Sequence, residues 1–108
     1  MITEMVYLGA DNINELLISE DGQAVDFSGA TRMLLKFEGS ETVVDSQLSN
    51  EFITWDSVGR VILKLGELDI APSKYPATLI VFDADHDDGQ VLFHALERRV
   101  IFWFVPAD

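Results

Sequence analysis

Apolar residues in this chain recur at every second position over short stretches, and Gly, Asp and Asn then interrupt them. Between Thr31 and Phe37 the apolar side falls on Met33, Leu35 and Phe37, with Arg32 and Lys36 facing the other way. Val61, Leu63 and Leu65 repeat the pattern against Arg60 and Lys64. A period of two is what a pleated strand with one buried face requires. The chain therefore reads as an all-β domain.

The runs place the strands in order. Thr3 to Leu8 and Glu15 to Ser19 come first, parted by Gly9-Ala10-Asp11-Asn12. Glu20-Asp21-Gly22-Gln23 is a tight-turn signature, because Gly accepts positive φ and Asp bonds its own backbone. Val25 to Ala30 forms a corner leading into the strand Thr31 to Glu38, and Gly29 is expected there in a conformation that side chains resist. Thr42 to Leu48 and Phe52 to Trp55 read as a strand pair, followed by Arg60 to Leu65. Gly66 to Ala71, stopped by Pro72, predicts one helical or 3₁₀ turn. Tyr75 to Asp83 is a strand whose Pro76 points to an edge position or to the strand's start. Gln90 to Val105 is the last, bent or bulged near Glu97-Arg98-Arg99. Strands at a spacing of about ten residues predict a two-sheet antiparallel sandwich of seven or eight strands with one short helical turn. The 108 residues are expected to make a single domain.

Charge narrows the function. Nineteen acidic residues against seven basic ones give a formal net charge of −12. Nucleic acid demands a basic footprint that displaces counterions, and anionic membrane surfaces are disfavoured for the same reason. There is no cysteine, so disulfide and thiolate chemistry are ruled out. Met1-Ile2-Thr3-Glu4 lacks the pattern of a signal peptide. The most apolar run, Val100 to Val105, is too short to span a bilayer.

With the turns placed, a resemblance emerges. Asp21-Gly22-Gln23-Ala24-Val25-Asp26-Phe27-Ser28-Gly29-Ala30-Thr31 resembles the "DG-x-x-VDLSGAT" corner of immunoglobulin-like β-sandwich domains in bacteriophage tail and baseplate proteins, such as the amino-terminal domain of baseplate upper proteins. Gly59-Arg60-Val61-Ile62-Leu63-Lys64-Leu65 matches that family's "G-x-V-x-L-x-L" strand. Tyr75-Pro76-Ala77-Thr78-Leu79-Ile80-Val81-Phe82-Asp83 matches its "Y-x-A-x-L-x-V-x-D" strand, and Asp88-Gly89-Gln90 its glycine hairpin. Pro72-Ser73-Lys74-Tyr75 departs from the family's "aGtY". The resemblance implies an immunoglobulin-like topology and a virion component or prophage-encoded assembly factor. Such a protein would reside in the virion or, before assembly, in the host cytoplasm. Tail or baseplate proteins would be its partners.

Candidate chemistry is sparse. Asp83, Asp85 and Asp87 alternate like the first ligands of a calcium loop, but Asp88 stands where that loop needs Gly and His94 where it needs Glu. An acidic hairpin tip is the preferred reading, with no metal site. His86 sits in this turn and His94 in a strand, and neither has a serine or thiol arranged beside it. No catalytic residue and no cofactor is expected, so the chain is read as a non-enzyme.

Val100-Ile101-Phe102-Trp103-Phe104-Val105 is apolar at every position, so both faces of that strand call for burial. Leu34, Ile62, Ile80 and Phe82 likewise lie opposite the faces assigned to the core. A central strand covered on both sides is one solution. The other, preferred because so small a domain has little to spare for an outer face, is a subunit interface built from Val100, Phe102, Trp103, Phe104, Ile62, Ile80 and Phe82. The expected function is protein–protein association, with a homo-oligomer as its first form. The alternative is a carbohydrate- or peptide-binding module using Trp55, Trp103 and Tyr7.

Overall fold

Among the described residues, eleven strand segments form in the order β1 (Ile2–Leu8), β2 (Asn14–Leu17), β3 (Ser19–Glu20), β4 (Gln23–Ala24), β5 (Ala30–Phe37), β6 (Val43–Asp45), β7 (Ile53–Trp55), β8 (Arg60–Leu63), β9 (Ser73–Asp83), β10 (His86–Phe93) and β11 (Val100–Pro106). The computed structural model describes residues 1–107. The architecture is mostly β, as the alternation requires. A six-stranded sheet runs β1-β11-β9-β5-β6, with β10 also on β9; a three-stranded sheet runs β2-β8-β7; β3 and β4 form a separate hairpin. Among the described residues no helix is long and apolar enough to cross a membrane.

The alternating apolar sides of both larger sheets meet in one core. Val6, Met33, Leu35, Phe37, Leu79, Val81, Phe102 and Phe104 come from the large sheet, and Leu16, Ile53, Val61 and Leu63 from the small one. Its densest part is aromatic. The Phe37 ring meets Phe102 and Phe104 edge-on at 5.7 and 5.4 Å between centroids. Edge-to-face pairs add to the burial of area itself. Tyr75 joins them and donates its hydroxyl to Ala71 C=O at 2.7 Å, so its polar end is satisfied at the rim.

Several expectations change. Pairing is not wholly antiparallel, because β1 runs parallel to β11 from Ile2↔Val100 to Leu8↔Pro106. The segments around Val44 and Thr54 do not pair; β6 joins β5 and β7 joins β8, so the chain changes sheets between them. Gly66–Ala71 contains a turn closed by Leu68 N–H to Leu65 C=O, and among the described residues the 3₁₀ turn is Ala95–Glu97. Gly29 has no positive φ, and a Cβ there would meet nothing within 4 Å, although neighbouring Phe27 is buried. The turn at Asp21-Gly22 behaves as its residues require, with φ of 53° and 80° in a two-residue hairpin.

The expected bend in the last strand is a full break. β10 follows β9 as far as Phe93↔Leu79, and β11 resumes at Ile101↔Pro76. Seven residues, 94–100, therefore stand opposite two, Ala77 and Thr78, and the six before Val100 bulge out of the ladder. His94 is not a strand residue but caps this excursion: its Nδ1 accepts Leu96 N–H, and Glu97 accepts His94 N–H at 2.8 Å. Thr78, buried in the sheet, accepts Ala95 N–H at 2.8 Å and pins the bulge down.

Candidate functional site

Strand parity decides what the large sheet shows to the outside. On β9 the core side carries Tyr75, Ala77, Leu79 and Val81, so Lys74, Pro76, Thr78, Ile80 and Phe82 lie on the opposite face. On β5 that face carries Arg32, Leu34 and Lys36, and on β11 it carries Ile101, Trp103 and Val105. Parallel pairing adds Met5 and Tyr7 of β1, opposite Trp103 and Val105. The outcome is a mixed face on which Met5, Tyr7, Trp103, Leu34, Ile80 and Phe82 lie among Arg32, Lys36, Lys74 and Asp45; Pro76, Thr78 and Ile101 on it are buried, and Leu34, Ile80, Phe82 and Trp103 are half-buried.

Basic side chains lie across this face. Lys74 is the cross-strand partner of Trp103, and its Nζ sits 4.4 Å from the ring centroid. The Arg32 guanidinium carbon lies 5.0 Å from the centroid of Phe82. Long cationic stems shield apolar surface while keeping the charge in water. Arg32 is also fixed by Asp45, donating Nε to Oδ1 at 3.0 Å and Nη2 to Oδ2 at 2.6 Å. That two-pronged bond holds the nearly buried Asp45 carboxyl below the ordinary carboxylate range, helped by Gln47 N–H. Gly89 opens the room that Ile80 and Phe82 occupy, since a Cβ there would come within 2.6 Å of Ile80 Cγ2.

The residues expected to form one interface separate into three groups. Val100, Phe102 and Phe104 point inward and belong to the chain's own core, Phe102 and Phe104 without any exposure, so they present nothing to a partner. The apolar run is thus explained by a strand with two differently used faces. Trp103, Ile80 and Phe82 share the outer face of the large sheet. Ile62 stands apart on the outer side of β8, between Glu15 and Thr54. Of the three aromatic candidates for a binding module, Tyr7 and Trp103 share the face, whereas Trp55 lies on β7 in the other sheet. Met5, Lys74 and the shielding role of Arg32 escaped the sequence reading. The parity that puts Arg32, Leu34 and Lys36 on one side was a signal for part of it.

The acidic turn folds as a hairpin tip. Asp83 Oδ1 accepts Asp85 N–H at 2.9 Å and lies 2.8 Å from His86 Nδ1. The bond to His86 lowers the Asp83 carboxyl, with the turn's backbone bonds adding to it. Among the described residues no group of three His, Asp or Glu side chains converges to hold a metal ion. Compared with known proteins, the chain matches no family model, no curated protein and no solved structure.

Proposed function

We propose that this chain is a non-enzymatic structural protein of a phage or prophage particle, an immunoglobulin-like β-sandwich that works by protein–protein association. The observation that carries the association is the outer face of the large sheet, where Met5, Tyr7, Trp103, Ile80, Phe82 and Leu34 line up across four strands. The occupant of that face is a neighbouring copy of the chain. Three of the seven basic residues, Arg32, Lys36 and Lys74, lie on this face, while the chain as a whole carries −12. Its mixed apolar and basic face therefore complements the acidic surface of another copy. Such a head-to-tail contact builds rings or filaments, the forms from which particles are assembled. The phage assignment rests on the motifs at Asp21–Thr31, Gly59–Leu65 and Tyr75–Asp83.

The test is oligomeric state by light scattering. Wild type should be at least dimeric at micromolar concentration and should dissociate as salt screens the charge pairs. Trp103→Asp should give a folded monomer. A monomeric wild type overturns the association, and a genomic neighbourhood without portal, tail or baseplate genes overturns the phage assignment. A carbohydrate-binding module draws on one observation, the shared face of Tyr7 and Trp103. Lys74 occupies one face of that indole, the surface a sugar ring would need.

A further inference from the structure

The two larger sheets come apart along one side of the molecule. β1 is the edge of the six-stranded sheet and β2 the edge of the three-stranded one, and the chain passes from one to the other through residues 9–13. Side chains zip this crossing. Asn12 Oδ1 accepts Tyr7 N–H at 3.0 Å, its Nδ2 donates to Tyr7 C=O at 2.6 Å, and Asn14 Nδ2 donates to Met5 C=O at 3.2 Å. Away from the crossing the two edges diverge into a cleft of about 600 Å³. Its floor is core, made by Leu16, Phe93 and Val100, and its rim carries Ile2 and Leu17, exposed by 52% and 76%.

Both walls of the cleft are free strand edges. On β1, Ile2 N–H bonds Arg99 C=O and Leu8 C=O accepts Ala107 N–H, so the even-numbered residues face β11. Thr3, Met5 and Tyr7 then face outward, and the asparagine side chains cover only Tyr7 and the carbonyl of Met5. On β2, Ile18 N–H bonds Gly59 C=O on the β8 side, which turns Glu15 and Leu17 toward the cleft. Unpaired edges of this kind are templates for another strand. At the other side of the molecule the edges β6 and β7 are three residues each, too short to offer the same ladder.

We propose that this cleft binds, by strand addition to β1 and β2, an extended segment of a different protein in which apolar residues alternate with Lys or Arg. Side chains pointing inward would meet Leu16, Phe93 and Val100, which selects apolar ones. Glu15 and Glu20 stand at the outer rim, Glu15 also lying 3.9 Å from Arg60, and Glu4 lies on the inner side of β1 with Ile2; against Arg99 the lining is acidic on balance, which selects basic side chains among the rest. A second copy does not supply such a segment. The chain's own apolar–basic runs, Arg32 to Phe37 and Arg60 to Leu63, lie in β5 and β8, each already flanked by strands on both sides. Edge-to-edge pairing of two copies would instead oppose Glu4 and Glu15 with their equals. This cleft is separate from the outer sheet face and does not depend on it.

The probe is an octapeptide of alternating valine and lysine with blocked ends, compared with a block peptide of the same composition and charge. In about 150 mM salt, where long-range attraction is screened, the alternating peptide should bind about tenfold tighter, the value of one or two strand hydrogen bonds. Bound peptide should slow amide exchange at Thr3, Met5, Glu15 and Leu17. Thr3→Pro, which removes an outward N–H from an edge strand, should weaken the alternating peptide specifically, whereas Trp103→Asp should leave its affinity unchanged. Equal binding of the two peptides, or protection absent from those four amides, overturns the proposal whatever the oligomeric state proves to be.

Discussion

Lys74 holds its ammonium nitrogen 4.4 Å from the centre of the Trp103 indole, across the register pair that joins β9 to β11. Lys74→Ala should cost about 0.5–1 kcal/mol in urea unfolding, the range of an exposed cation–π contact. It should also expose the indole further and shift its fluorescence to longer wavelength. An unchanged spectrum would mean that the lysine does not rest on the ring in solution.

Adjacent residues of β11 should respond in opposite ways. Phe102 is fully buried against Phe37, so Phe102→Ala should destabilise by about 3–5 kcal/mol through the cavity it leaves. Trp103→Ala should cost less and act on association instead. Urea midpoints measured on both variants decide this; equal losses would show that the two faces of the strand are not used differently.

Asp45 makes stability depend on acidity. Its carboxyl is held below the ordinary range by the Arg32 bond, so the folded state prefers the ionised form. That contribution is complete above the unfolded value of about 3.9 and is lost as pH falls through the lower folded value. Asp45→Asn should therefore melt below wild type at neutral pH. The gap should close in acid, below about pH 4. A constant gap down to low pH would separate the stability of this pair from its ionisation.

Two glycines should differ sharply. Gly89 has φ of 90° and no space for a Cβ beside Ile80 and Phe82. Gly89→Val should cost about 1–3 kcal/mol from backbone strain and crowding. Gly29→Ala, in open space at an ordinary φ, should stay within about 0.5 kcal/mol. Thermal melts that rank them the other way would refute the assignment of the conformationally demanding turn.

Most of the strands were legible in the amino-acid order, because a period of two and a turn such as Asp21-Gly22 are local properties, but the break between β10 and β11 was not. Leu34, Ile80 and Phe82 could likewise be set opposite Met33, Leu79 and Val81 by counting alone. Which strands became neighbours was not legible. Only the fold put β1 parallel beside β11, bringing Met5 and Tyr7 to Trp103, and only the fold sent Ile62 to a different sheet. The continuous apolar run from Val100 to Val105 left both core and interface open, with the interface preferred, since a strand's pattern records that both faces are covered but not by what. Phe102 and Phe104 met Phe37 in the common core, and Trp103 met Lys74. Those outcomes depend on contacts between residues far apart in the chain, which burial and register create together and no short window of sequence contains.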